Sequence, residues 1–528
     1  MTSPTSVIQS LCGKIKKEWR LAFFATVVIA LLVHMPVLLS DIPNHDGLDS
    51  MYFDQNMITS GRWFLTVACG FSSYYTIPWL IGLLGICFLG AAAAAITEIL
   101  ELEKPWVIVL CSGLLAAFPA LASTFAYVFT MDGYMLALLL AVLAVLFTKK
   151  YQKGFLSGGV CLAFSLGTYQ AYLPFAMILS VFAILMLAME ETETSVKIKK
   201  SLRYLYMGII GVVLYYGILQ VLLKIQGKEL ASYQGINGMA TGTAGTLAGG
   251  AAGSSAIGGF LQTLAEMYRD FLKFSLKGNV LYQNVISCAA LLVLLVAAFL
   301  AAMGLTGKRK WWKNPCFFAI IVLAAVILPL ATNVILMISP SVTYHLLMRY
   351  QWVLYLIGLT AFTGKYAQAT KFAAWLEWAA LVAAAVLVFF YGVVDNIAYS
   401  NLQKRYEKTY AYCVRLLDRI EQTEGYYQGI PVAMIGVVGE EQYPQTDITL
   451  AVTSNMIGMN GDSLLYTGEN YRKFMQHYLG ATLNILPPDA MKEMYYDSEY
   501  MEMDSFPGEN SIRIIDGIMY IKTENVSR

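Results

Sequence analysis

Four carboxylates, Asp41, Asp46, Asp49 and Asp54, crowd one short stretch, D-I-P-N-H-D-G-L-D-S-M-Y-F-D-Q. His45 stands among them, and S-G-R-W-F, which carries Arg62, follows closely. A carboxylate within hydrogen-bond reach of a hydroxyl can take its proton as a general base. Partial burial against aromatic side chains would raise its pKa toward the working range. A solvated acidic loop is the alternative that the residues leave open. Asp132 opens the apolar run T-M-D-G-Y-M-L-A-L-L-L, where it either orients a polar substrate or caps a helix N-terminus and meets its dipole. Tyr169, Gln170 and Tyr172 offer the hydroxyls and amide that a sugar needs, although tyrosine is also common in interfacial aromatic belts. Arg349, preceded by Tyr344 and His345, enters an apolar run where an arginine must be paired or must snorkel. A phosphate suits its bidentate fork. Arg62 has the same two readings.

These groups are set in a chain of 528 residues that is 58% hydrophobic and only 13% charged. An ordinary soluble protein carries about a quarter charged residues. The deficit is local, because the last stretch of about 130 residues has a normal composition. The sequence therefore predicts a mainly α, polytopic transmembrane bundle over residues 1–395 and a small soluble α/β domain over 396–528. Apolar runs long enough to cross ~30 Å of hydrocarbon fall near 21–40, 77–98, 105–124, 132–148, 154–171, 173–189, 204–223, 285–304, 316–338, 347–363 and 372–394. That makes about eleven spans. The first is long and lacks a small-residue cleavage site, so it is expected to stay as a span and not be removed as a signal peptide.

Basic residues set the orientation. Lys14, Lys16, Lys17 and Arg20 precede the first span; Lys149, Lys150 and Lys153 follow the fourth; Lys197, Lys199, Lys200 and Arg203 follow the sixth. Lys308, Arg309, Lys310 and Lys313 follow the eighth, and Lys365 and Lys371 the tenth. With a cytoplasmic N-terminus, all five clusters fall inside the cell, and the C-terminal domain falls outside. The acidic loop, Asp132, Gln170 and Arg349 then share the outer face.

Between spans seven and eight, GINGMATGTAGTLAGGAAGSSAIGG reads as a low-complexity lid, re-entrant segment or plain linker. Phe260, Leu261, Leu264, Tyr268, Phe271 and Leu272 then recur at helical spacing, with Glu266, Arg269, Asp270 and Lys273 between them, which predicts an amphipathic interfacial helix. In the C-terminal domain the expectations are a polar helix near 397–423, a strand over 431–438, a helix over 467–479 and strand-like runs around 511–522 split by Asp516-Gly517. The eight cysteines are scattered through apolar runs and form no C-x-x-C pair or metal spacing, so they read as small apolar residues. A net charge of +1 gives no reason to expect a nucleic-acid partner.

The acidic first loop with S-G-R-W resembles the GtrII-like glucosyltransferases, which are membrane enzymes of the GT-C type. So do F-A-Y-V-F-T-M-D-G-Y, G-T-Y-Q-A-Y-L-P-F, L-L-M-R-Y around Arg349 and the ending F-P-G-x-N-S-I-R-I-I-D-G. The likeness covers most of the chain and rests on the order and membrane side of short motifs. It departs in the first loop, where His45-Asp46 and then Asp49 replace the adjacent acids common in such proteins. The resemblance implies a polyprenyl-phosphate sugar donor in the outer leaflet and a surface glycan as acceptor. Fitted to that chemistry, Asp46 or Asp49 would be the base, Asp132 and Gln170 would orient sugar hydroxyls, and Arg349 would meet the leaving phosphate. Mg²⁺ or Mn²⁺ bridging Asp46, Asp132 and the phosphate is a further option. Two rival classes are a transporter or flippase of a lipid-linked glycan and a membrane-anchored assembly protein. A flippase would carry polar or broken helices at mid-membrane. Here the polar residues gather at one face.

Overall fold

The computed structural model of the protein describes residues 3–231, 253–278, 280–309, 315–339, 342–435, 451–460, 465 and 467–523. Most of the glycine-rich run lies outside the described residues, as does the second half of the expected 431–438 strand. Among the described residues, seven helices are long and apolar enough to cross a membrane: Lys17–Leu38, Pro78–Leu100, Val128–Lys150, Gln170–Ala188, Thr194–Gln226, Val285–Lys308 and Ala373–Glu421. Pro105–Ala117 and Pro119–Phe125, bent by 46°, make an eighth if the pair is one span. Three of the expected runs are shorter as helices. Gly154–Thr168 and Ala319–Thr332 are apolar but fall below full spanning length, and the tenth run is a 3₁₀ turn, Leu346–Trp352, leading into Val353–Tyr366.

Packing follows the chain locally. Lys17–Leu38 lies on Pro78–Leu100 and Pro105–Ala117, and Met131–Lys150 packs between Pro78–Leu100 and Gly154–Thr168. The first and fourth spans thus share a neighbour. Small residues make the close approaches, since a Cβ on Gly85 would come within 3.3 Å of the Met131 carbonyl oxygen. At one end of the bundle, Lys16 and Trp19 bond Glu98, Lys149 and Lys365 both reach Glu101, and Lys104 pairs with Glu377. Most of the basic partners belong to the basic clusters named above.

The bend in the third run has a direct cause. Pro119 has no N–H to give the Leu115 carbonyl one turn back. Tyr350 Oη donates to that oxygen instead, at 2.5 Å. His34 lies 2.8 Å from the Ala116 oxygen through Nε2 and 2.7 Å from Tyr399 Oη through Nδ1. Donation from Nε2 to the carbonyl leaves Nδ1 to accept from the tyrosine. The freed backbone groups are thus satisfied by protein, as the interior of a membrane bundle demands.

The last helix, Ala373–Glu421, runs 49 residues without a break, from a membrane-type composition into the polar stretch. Beyond it a four-stranded sheet forms from β1 (Pro431–Ile435), β2 (Asn484–Ile485), β3 (Ile512–Ile515) and β4 (Ile518–Lys522). Its order is β2-β1-β4-β3, with β1 parallel to both neighbours and β3-β4 antiparallel across Asp516-Gly517, both at positive φ. Tyr412, Cys413, Leu416 and Ile420 of the long helix share a core with Val432, Phe474 and Ile521. The helix is thereby anchored in the α/β domain.

Candidate active site

The short helix His45–Ser50 carries Asp46 and Asp49 three residues apart, hence on one face. Asn44 caps it by accepting from the Gly47 amide at 2.7 Å. It rests on the Val128–Thr130 turn that leads into Asp132. Asp46 and Asp49 are similarly open, with side chains 53% and 48% exposed, and Asp46 has His45 Nε2 at 3.5 Å. Burial, chiefly, holds His45 below the usual imidazole range against the pull of Asp46, so this contact is not an ion pair at neutral pH. Asp49 is held differently. Asn470 Nδ2 lies 3.2 Å from each of its oxygens, Lys473 Nζ approaches to 3.7 Å, and the same ammonium donates to the Asp49 carbonyl at 3.1 Å. Both Asn470 and Lys473 belong to the Gly468–Phe474 helix of the C-terminal domain.

The rest of the loop folds back to bring Arg62 inward. Gln55, buried and at φ +56°, donates through Nε2 to Ser50 O and Ser73 Oγ at 2.8 and 2.7 Å. Gly70 permits this, because a Cβ there would stand 2.5 Å from the Asp54 carbonyl oxygen. A tight turn, Met57–Arg62, closes with Gly61 at φ +77°. Gln170 grips that turn by donating to Ser60 O at 3.2 Å and to Tyr215 Oη at 3.1 Å, and Tyr215 donates to Gly61 O at 3.2 Å. Gln170 thus serves as a clamp in this structure. Gln170→Ala is expected to cost about 1–2 kcal/mol through the two lost bonds and to lower the activity of the site by loosening Arg62. Thermal unfolding in detergent alongside an activity assay checks both.

Arg62 donates to Tyr134 Oη at 3.1 Å and lies 5.0 Å from the centre of the Tyr169 ring. Tyr134 and Tyr169 are stacked at 4.3 Å, and Tyr172 meets Tyr169 edge-on at 5.5 Å. Asp132 is buried at the start of its helix, where it accepts from Ser72 Oγ at 2.5 Å and from the Gly133 amide at 2.8 Å. It thus sits in the first turn of the helix instead of at its N-cap, which is Thr130, and stands near Cys69. Arg349 is 3% exposed and paired bidentately with Asp270, at 2.7 and 2.8 Å. Its Nε donates to Tyr344 O at 3.2 Å, and the guanidinium covers the Tyr344 ring at 3.8 Å and the Phe274 ring at 5.1 Å. Asp270 sits on the amphipathic helix Gly253–Lys277, so that helix is folded into the bundle rather than lying free on the interface. The sequence marks Arg349 as an arginine that needs a partner, but nothing in it points to Asp270.

The expected residues thus form two joined groups. Asp46, His45 and Asp49 stand on the loop under the C-terminal domain, and Asp132, Arg62, Tyr169, Tyr172, Gln170 and Arg349 line the bundle end below. Ser72, Tyr134, Tyr344, Asp270, Asn470 and Lys473 complete these groups and were not singled out by the sequence as site residues. The family of glucosyl transferase GtrII matches residues 35–364, which takes in all nine expected residues and over half of the chain. The chain belongs to that family. Its activity is accordingly that of a glucosyltransferase, with apolar helices that fit a membrane protein. Comparison with curated proteins and with solved structures gives no match. The matched region ends well before the α/β domain, so the GtrII match does not account for Asn470 and Lys473.

Beside the Arg349 cluster lies an apolar cavity of about 460 Å³. Phe271, Phe274 and Trp352 line it at the Arg349 end, and Lys365 and Tyr366 line it near the Lys-Glu cluster at the other. Among the described residues, no three His, Cys, Asp or Glu side chains converge.

Proposed function

We propose that this GtrII glucosyltransferase takes its sugar from a polyprenyl phosphate and passes it to a surface glycan at the outer face of the cell membrane. The observation that carries the donor class is the apolar cavity, which runs along the bundle and ends at Phe274, under the Arg349 guanidinium. An isoprenoid chain suits such a lining, and a phosphate at its head meets Arg349 or Arg62. In this reading the acceptor oxygen attacks the anomeric carbon and gives its proton to Asp46. The bond from that carbon to the phosphate oxygen breaks, and polyprenyl phosphate leaves. Asp46 is preferred to Asp49 because Asn470 and Lys473 already engage the latter. Asp132 and the Tyr134–Tyr169 stack hold the sugar.

The membrane part is read as residues 1–395, crossing about eleven times with the shorter helices included. The N-terminus lies inside, and the 396–528 domain lies outside. That orientation rests on the basic clusters, members of which meet Glu98 and Glu101 at one end of the bundle while the candidate site occupies the other. A Mg²⁺ or Mn²⁺ ion would have Asp46 and Asp132 as its carboxylate holders and would help to neutralise charge on the leaving phosphate. Full activity in a strong chelator removes that option.

Purified protein should convert polyprenyl-phosphate glucose to polyprenyl phosphate when acceptor is present. Leu295→Trp, which fills the cavity from its lining, is expected to raise the donor KM by roughly tenfold, equivalent to about 1.4 kcal/mol. An unchanged donor KM in that variant would place the lipid chain elsewhere.

A further inference from the structure

Where the acidic loop meets the C-terminal domain, two rings from different parts of the chain are stacked in the open. Tyr52, of the acidic loop, and His477, of the C-terminal domain, lie 5.1 Å apart at 26°, and both are exposed. We infer that this stack is a subsite for a pyranose ring of the acceptor glycan, built jointly by the catalytic loop and the C-terminal domain. The inference rests on the glucosyl-transfer reading above and gives the C-terminal domain a part in it.

Three observations converge. Tyr52 is held at φ +59°, a region bulky side chains rarely adopt, by a bond from its amide to Ser73 O at 3.3 Å. The backbone thus presents the ring outward instead of folding it into the core. The stack is also continuous with the candidate base. Asp46 shares a helix face with Asp49, Lys473 bonds Asp49, and His477 follows Lys473 by about one turn. Finally, the ring His477 presents is neutral. Burial, then Lys473 and Arg472, hold it below the usual imidazole range, so at neutral pH it is an uncharged face. Aromatic faces beside a lysine and carboxylates offer what a sugar carries, an apolar C–H face rimmed by hydroxyls. Tyr478 closes the same edge by donating to Asp41 O at 3.3 Å. Asn470 and Lys473 act here as positioning residues, since they keep loop and domain in register.

The test uses the full-length protein in detergent, polyprenyl-phosphate glucose, and the surface polysaccharide extracted from cells lacking the gene. Tyr52→Asn keeps a residue that tolerates left-handed backbone while removing the ring. It is expected to raise the acceptor KM about five- to tenfold, with donor KM and kcat at saturating acceptor within about twofold. Tyr52→Phe should restore the wild-type KM, and His477→Ala should resemble Tyr52→Asn. If the wild type transfers glucose but Tyr52→Asn and His477→Ala leave the acceptor KM unchanged, the subsite is wrong and the glucosyl-transfer reading stands. An unchanged KM with a lowered melting temperature means that the stack only joins the two parts, and overturns the inference as well. If the wild type itself transfers nothing from the lipid donor, the underlying reading falls first.

Discussion

Asp46→Asn is expected to cut glucosyl transfer by about 10²–10⁴-fold, the usual contribution of a positioned general base. The change keeps the shape of a side chain that is half exposed and has His45 Nε2 at 3.5 Å. Stability should therefore move by no more than about 0.5 kcal/mol. Because the base acts in the transition state, kcat should fall while both KM values stay close to wild type. Asp49→Asn separates the two acids. If Asp49 serves only to hold the loop to Asn470 and Lys473, its variant keeps most of the activity. A fully active Asp46→Asn enzyme would dismiss Asp46, and an inactive Asp49→Asn enzyme with normal folding would move the role to Asp49.

The second large effect concerns the Arg349–Asp270 pair. Arg349 is 3% exposed and bound through both guanidinium ends to one carboxylate. Asp270→Ala leaves that charge without its partner in a low-dielectric setting and is expected to cost about 3–5 kcal/mol. Replacing both residues with methionine should cost much less, because no buried charge then remains. Thermal unfolding of the two single variants and the double variant gives the coupling directly. The pair also bears on the donor. A carboxylate and a phosphate present similar oxygen pairs to an arginine fork, so Asp270 holds Arg349 in the geometry a phosphate would use. Polyprenyl phosphate added to Asp270→Ala should raise its melting temperature more than that of the wild type, through mass action on the native state. Equal shifts would show that the lipid phosphate does not reach Arg349.

Much of this was legible in the sequence because membrane solvation is severe. Charge-free runs of spanning length became helices, and even the tight join at Tyr169–Pro174 appears as a 3₁₀ turn, Gln170–Tyr172, between two helices. The strand pair around Asp516-Gly517 followed from its alternation and turn residues. Other features depended on tertiary contacts and were not readable. Span length is one: 154–171 reads as long enough, yet its helix ends at Thr168, and the Gly167 carbonyl accepts from the Phe64 amide of the 41–76 segment at 2.7 Å. Gln170 is another, since nothing local predicts that its amide would bridge to Ser60 and Tyr215. Asp270 and Arg349 are separated by 79 positions, and Asp49 and Asn470 by 421. Pairings that distant are set by the fold alone. The polar residues did gather at one bundle end as their order implied, while the partners that fix them came from the amphipathic helix and the C-terminal domain.

One reconstitution tests the central claim. The protein is placed in liposomes with polyprenyl-phosphate glucose labelled in the sugar, and acceptor glycan is supplied only to the outside. Label should pass into the glycan from those molecules whose C-terminal domain faces out. A protease that removes that exposed domain should stop the transfer, and Asp46→Asn liposomes should show none. Labelled lipid that merely moves between leaflets with its sugar attached, or label that stays on the lipid throughout, would contradict the account.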